Sequence, residues 1–404
     1  MKRSGAADLP LHYGAVPPWL AERMAKLGLA ITESILTEYG HAEMIRRLSD
    51  PFWFQCLGAV MGMDWHSSGI TTSVMGALKK AIQPHSHSFG LYIAGGKGKH
   101  SRRTPEELIN IGYRTGLDGQ LLASSSRMSA KVDNTAVQDG FQLYVHNFIV
   151  DSKGHWAVIQ QGMNPGSKLA RRYHWHSEQL SSFTEMPHSA VCGINQGLIL
   201  NLTDVHAAET KEKIVQLTKE DPVKLLRGIR HLRLPVHHDV REKDVDLKRL
   251  GAILWLAQEQ SVSDFDGLLA LKGLGPRTLQ SLTLVSEVIH GTPSRFSDPA
   301  RFAFAHGGKD GHPFPVPVRV YDETIDILQK SIRQARLGDP DKAKAVKNLY
   351  DFAARAEKDF LPNEKFDALI EKERTESWKY GGRNVFGLAQ PPKQRAKGVQ
   401  LKLF

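Results

Sequence analysis

The chain has 404 residues, 41% of them hydrophobic and 24% charged, with a net charge of +10. These values exclude collagen-like, low-complexity and fully disordered chains, and the length predicts two folded domains with room for a third. The positive balance favours polyanionic partners, nucleic acid before an anionic membrane surface.

Cys56 and Cys192 lie in apolar contexts and read as buried free thiols, not as a disulfide or a zinc site. The first residues lack the apolar stretch of a signal peptide. No run reaches the roughly 18 apolar residues of a membrane span. A soluble, cytoplasmic protein without membrane contact is expected, and a homo-oligomer stays open.

Residues 1 to about 80 carry apolar positions at three- and four-residue spacing, as in "PPWLAERMAKLGLAITESILTEYG" and "TTSVMGALKKAI", which predicts helices. From 88 to about 205 the runs become short and β-rich: "SFGLYIAGG", "GFQLYVHNFIVD", "GHWAVIQQGMN" and "QGLILNLTDV". An α/β or α+β catalytic domain over 1–205 follows. Residues 206–385 return to a helical period and form a second, mainly α-helical domain. From 386 the period stops, and a flexible, disordered basic tail is expected.

Four polar stretches of the first domain are candidates for chemistry. In "GMDWHSSG", Asp64 and His66 suit a metal ligand or acid–base role, whereas the neighbouring Ser and Thr also suit helix capping. In "AGGKGKHSRRTPEEL", Thr104, Pro105 and Glu107 make a helix start. The Gly-rich stretch before them, with Lys97, Lys99 and Arg102, reads as a cationic phosphate-binding loop. It lacks the order of a nucleotide-binding P-loop.

In the third stretch, a strand over 141–150 places Gln142, Tyr144 and His146 on one face, and its partner "WAVIQQ" sends Gln160 and Gln161 to opposite faces. Asp139 stands just before this hairpin. In the fourth, "ARRYHWH", Arg171 and Arg172 suit phosphates while Tyr173 and Trp175 suit base stacking. His174 and His176, two apart on a strand, suit a metal or a structural role. Asp64, His66, Asp139, His146 and Gln160 form the expected catalytic set. Asp64, Asp139, His174 and His176 are the expected ligands for a divalent Mn or Mg ion, the usual means of activating water against a phosphodiester.

The second domain contains "DFDGLLALKGLGPRTLQSLTLVSEVIHG", residues 264–291. Its Lys272, Gly273, Gly275 and Arg277 resemble the turn of a helix-hairpin-helix motif. There the glycines let backbone approach a phosphate, and the second helix aims its N–H groups at the anion. The same order also suits a plain helix–helix turn. In helix-hairpin-helix glycosylases a catalytic Asp follows the hairpin, which makes Asp310 or Asp322 the candidate for that alternative.

Together "GMDWHSSG", "GGKGKHSRRTPEE", "QQGMN", "ARRYHW" and "FAHGGKDGHPFPV" resemble a bacterial and archaeal family catalogued as a domain of unknown function, the DUF763 group. The resemblance implies the family and no chemistry. The last residues, Gln400, Leu401, Leu403 and Phe404, are similar to the short peptide through which bacterial polymerases and repair proteins dock on the sliding clamp. Lys402 departs from the small or acidic residue usual there. A flexible linker of about 15 residues before it would reach roughly 20 Å, which suits a tethered ligand; folding back onto this chain's own surface is the other reading. The expectation is a metal-dependent DNA nuclease of repair or replication, recruited by the clamp. The alternatives are a non-catalytic DNA-binding adaptor and a DNA glycosylase, with RNA as a further substrate class.

Overall fold

A computed structural model describes residues 9–10, 16, 18–63, 68–167, 169–229, 247–300, 318–335, 338–357, 383–384 and 387–388. The chain opens with a short strand, β1 (Leu9–Pro10), and four helices: α1 (Pro18–Glu38), α2 (His41–Ser49), α3 (Pro51–Val60) and α4 (Gly69–Ile82). Asp50 starts α3 by accepting hydrogen bonds from the N–H groups of Phe52 and Trp53, with Pro51 at the first helical position. A single turn, α5 (Ser86–Phe89), leads into β2 (Leu91–Lys97), α6 (Lys99–Arg102), α7 (Thr104–Thr115) and α8 (Gly119–Lys131).

A π-helical turn, Val132–Ala136, extends α8 and carries Asp133. Strands β3 (Val137–Gln138), β4 (Gln142–Asp151), β5 (Trp156–Asn164), β6 (Leu169–His176), β7 (Ala190–Cys192) and β8 (Leu198–Asn201) follow. The described residues that follow are mainly helical: α9 (Ala208–Lys219), α10 (Pro222–Ile229), α11 (Leu247–Glu259), α12 (Phe265–Ala270), α13 (Pro276–His290), α14 (Val318–Gln334) and α15 (Asp339–Glu357). β9 (Phe296–Ser297) lies between α13 and α14, and β10 (Arg383–Asn384) pairs with β11 (Gly387–Leu388).

The main sheet runs β1-β6-β5-β4-β2, with β7 also on β6, and every pairing is antiparallel. A smaller ribbon runs β3-β8-β9. The fold is thus a mixture of helices and antiparallel sheet. Both faces of the main sheet are covered. Leu91, Ile149, Ala157 and Ile159 pack against α1–α4 and α14. Tyr92, Ala94, Phe148, Val150, Val158 and Trp175 pack in a second cluster that continues through α7, α8 and α9 to α13. Each fully buried Phe148 or Ile149 side chain contributes about 1.5–3 kcal/mol.

Two local features differ from the sequence expectation. Residues 95–97 continue β2 and pair with β4, Gly96 opposite His146, instead of forming a loop. Gly95 has φ +93°, and a Cβ there would stand 2.2 Å from the His146 carbonyl oxygen, so the close strand approach needs glycine. The register of β4 against β5 also shifts between Leu143 and Val145. That bulge turns Tyr144 to the face of Gln161, so Tyr144 and His146 point to opposite sides.

Helix α7 starts differently as well. Glu107 spends its carboxylate on Lys79 Nζ at 2.6 Å and on the Gly95 N–H at 3.1 Å. Thr104 Oγ donates to the Ser101 carbonyl instead of capping the helix.

Candidate nucleic-acid site

Gln160 and Gln161, adjacent on β5, leave on opposite faces and organise two buried polar networks. Gln161 Nε2 donates to the Ser68 carbonyl oxygen at 3.0 Å and to the Tyr144 hydroxyl. Its Oε1 accepts from Thr71. This network lies on the side of α3 and α4 and ends at the edge of residues 64–67. Asp64 and His66 are among those four and lie outside the described residues.

The opposite face carries a longer chain of hydrogen bonds. Gln160 Nε2 donates to Asp133 Oδ2 at 2.6 Å, and Trp175 Nε1 donates to the same oxygen at 3.0 Å. His188 bonds the other oxygen of Asp133. Because the Asp133 carboxylate only accepts, the Gln160 amide must present its oxygen to His146 Nδ1, 2.8 Å away. His146 Nδ1 therefore donates, and Nε2 accepts from the hydroxyl of Ser126 at 2.8 Å. The order is Asp133, Gln160, His146, Ser126. Burial pushes the imidazole of His146 down to about 4, against the raising effect of its hydrogen bond to the Gln160 oxygen. Burial raises the Asp133 carboxyl, and His188 pulls it back.

Ser126 and His146, both buried, border a cleft of about 690 Å³ between α6, α8, β4 and the α12–α13 hairpin. Ser124, Arg127 and Lys131 follow one another at helical spacing along its α8 wall. Arg102 arrives from α6 and Lys272 from the hairpin turn. No Asp or Glu is among the described residues lining it. Lys131 Nζ donates to the carbonyls of Leu271 at 3.1 Å and Leu274 at 2.5 Å, which ties the hairpin turn to the end of α8. Burial holds the Lys131 ammonium below its usual range.

The hairpin is two helices joined over Leu271–Gly275. Gly273 has φ +92°, and α13 begins at Pro276 without a side-chain cap. Lys272, Gly273 and Arg277 are exposed, while Leu271, Leu274 and Leu279 anchor the turn from below. Lys97 and Lys99 are exposed near the same end of the sheet, with Lys97 Nζ 5.8 Å from the Tyr144 ring centre.

The other expected residues are spent inside the fold. Arg171 and Arg172 are both completely buried. Arg171 reaches Asp139 Oδ2 at 2.8 Å and Asp298 through two further bonds. Asp139 also accepts from the Tyr173 hydroxyl at 2.6 Å and the Phe141 N–H at 3.0 Å. Burial raises its carboxyl despite Arg171. Arg172 bonds His174 Nε2 at 2.8 Å and Gln55 Oε1 at 3.1 Å, on the face of α3. Burial, then Arg172, holds His174 well below its ordinary value.

Since β6 alternates, Asp139 with Arg171 and Tyr173 lies on one face, and Arg172, His174 and His176 lie on the other. The structure therefore does not bring Asp139 together with His174 and His176. Among the described residues no three of His, Cys, Asp and Glu gather as a metal-binding group. Asp310 and the tail residues Gln400, Leu401, Leu403 and Phe404 lie outside the described residues, and of Asp322 only its place in α14 is described. Cys56 and Cys192 are both buried free thiols. No described helix is long and apolar enough to cross a membrane.

Sequence reading missed Ser126, Arg127 and Asp133. The available signal was "SSSRMSAKVD", where polar residues recur at helical spacing and an acid follows inside an apolar run. Compared with known proteins, residues 5–316 match the model of a family described as Protein of unknown function (DUF763). No curated protein and no solved structure matches the chain.

Proposed function

The chain belongs to the DUF763 family, and we propose that it binds the DNA backbone in the cleft between α8 and the α12–α13 hairpin and processes phosphodiesters there. One observation carries the reading. Arg102, Arg127, Lys131 and Lys272, from three separate segments, line a single cleft without a carboxylate among its described walls. Such a wall attracts a polyanion by releasing its counterions. The hairpin supplies exposed glycine backbone and the start of α13, the helix-hairpin-helix way of holding a phosphate without reading bases.

In the same proposal, Gln400, Leu401, Leu403 and Phe404 recruit the protein to the sliding clamp, and the reaction serves DNA repair or replication. The expected divalent ion has Asp64 and His66 as its remaining candidate ligands. The closed hydrogen-bond chain around His146, satisfied at both ring nitrogens, favours a second reading: a structural network inside a non-catalytic DNA-binding adaptor.

The experiment is incubation of the purified chain with end-labelled single-stranded, duplex, nicked, flapped and bubble DNA, with Mn²⁺, Mg²⁺ or EDTA. Salt-sensitive binding and strand cutting are expected, and the metal arms read the ion's part. Binding without cutting on every substrate would leave the adaptor. No binding at low salt would end both readings.

A further inference from the structure

We propose that Ser126 is a nucleophile that attacks the phosphorus of a DNA phosphodiester, with His146 as its base. The inference rests on reading the cleft as a phosphodiester site, and it adds the reacting atoms. Serine is a weak nucleophile unless an adjacent base takes its proton and a third group orients that base. All three parts are present. Ser126 Oγ lies 2.8 Å from His146 Nε2, and the ring is held from behind by Gln160, itself fixed by Asp133.

Burial keeps the imidazole unprotonated at neutral pH, so Nε2 offers a lone pair to the hydroxyl. Both residues border the cleft, where Ser126 keeps 1% and His146 5% of its surface exposed, so a phosphate meets them only by entering the cleft against α8. The surroundings choose the substrate. Arg102, Arg127 and Lys272 line the cleft with positive charge, which matches a phosphodiester that is anionic before and during attack, whereas a neutral ester or amide gains its charge only on attack. Asp133, Trp175 and His188 remain behind the ring and act as positioning residues.

In the first step the Ser126 Oγ–phosphorus bond forms as the bond from phosphorus to one sugar oxygen breaks. The serine proton passes to His146 Nε2 and then to the departing sugar oxygen. The product is a DNA strand joined to Ser126 through its phosphate, and a second strand ending in a hydroxyl. In the second step a water attacks phosphorus and gives its proton to the same nitrogen. The serine leaves with that proton, and the first strand ends in phosphate. Attack by the sugar hydroxyl instead of water reseals the strand.

The test uses the full chain with oligonucleotides labelled at either end, in parallel Mg²⁺, Mn²⁺ and EDTA arms, followed by denaturing gels and single-turnover rates. Expected is a label that stays with the protein after denaturation, and that is lost together with cutting in Ser126→Ala, while DNA affinity stays within about twofold. His146→Gln is expected to slow cutting about 100- to 10,000-fold, the usual contribution of a positioned base. Undiminished cutting by Ser126→Ala would overturn the nucleophile and leave the phosphodiester reading intact. Cutting that needs a metal and survives both substitutions would overturn it the same way. DNA binding with no cutting by the parent chain would overturn the inference in favour of the adaptor, and no DNA binding would overturn the reading beneath it as well. Melting curves of both variants accompany the rates, so that unfolding is read separately from chemistry.

Discussion

Arg171 donates from both terminal nitrogens to Asp298, 127 residues further along the chain, at 3.0 and 2.9 Å, with all the side chains at zero exposure. Asp298 also accepts from the N–H groups of Gln196 and Ala300, so the segment after α13 is stitched to β6. Asp139 closes the cluster from the other side. Arg171→Met leaves two buried carboxylates facing each other, and a loss of about 3–5 kcal/mol in unfolding free energy is expected. Urea denaturation measures it. If Arg171 instead held DNA phosphates, the variant would lose affinity at a temperature where it remains folded; no such loss is expected.

Cleft cations should act on binding and not on folding. Arg102→Ala, Arg127→Ala and Lys272→Ala are each expected to weaken DNA binding on all sequences alike. Each is also expected to lower the steepness of the salt dependence by about one charge. Fluorescence anisotropy across a salt series reads both. Unchanged slopes in all three would move the DNA elsewhere.

Gly273 tests the hairpin turn without touching charge. At φ +92° an alanine strains the backbone by about 1–2 kcal/mol, although its Cβ would have only Ile253 Cδ1 nearby, at 3.8 Å. Gly273→Ala is expected to lower stability by about that amount and to weaken DNA binding. Gly275→Ala, at φ −119°, should cost less stability. Equal melting temperatures for the two variants would contradict the turn geometry.

His146 ties stability to pH. Its folded value of about 4 lies below the ordinary imidazole value near 6.5, so the unfolded chain binds the proton first. The contribution is whole above pH 6.5, declines as pH falls toward 4 and levels off below, a total of about 3 kcal/mol. His174 and His176, also depressed by burial, act in the same direction. Chemical denaturation between pH 4.5 and 7.5 should therefore show falling stability, with a shallower fall in His146→Gln.

Removing the last five residues, Gln400 to Phe404, is expected to abolish capture by an immobilised sliding clamp while DNA affinity stays unchanged. Retained capture would assign the clamp contact to another part of the chain.

Much of the scaffold was legible because its signals are local. The period-two runs located β2, β4 and β5, and strict alternation put Gln160 and Gln161 on opposite faces. The same rule failed at Tyr144, since one extra residue in a bulge inverts a face and leaves no mark in composition. The basic–aromatic run of β6 suggested a DNA surface because alternation shows which residues share a side and not whether that side is covered. Here helices cover both, and the partners of Arg171 and Arg172 lie at Asp298 and Gln55, far off in sequence. Ser126 was hidden for a related reason. A serine inside a helix is ordinary until β4 places an imidazole beside it.

Helix α8 holds Ser126 near its middle and, five residues on, the lysine clasped to the hairpin carbonyls. One rigid rod thus serves as both anvil and handle. In the proposed complex, a strand tugging on the hairpin would also tilt the α8 surface that carries Ser126. Substitutions that tighten the grip by shifting the turn should therefore disturb the alignment of the hydroxyl, and the two properties will evolve in step.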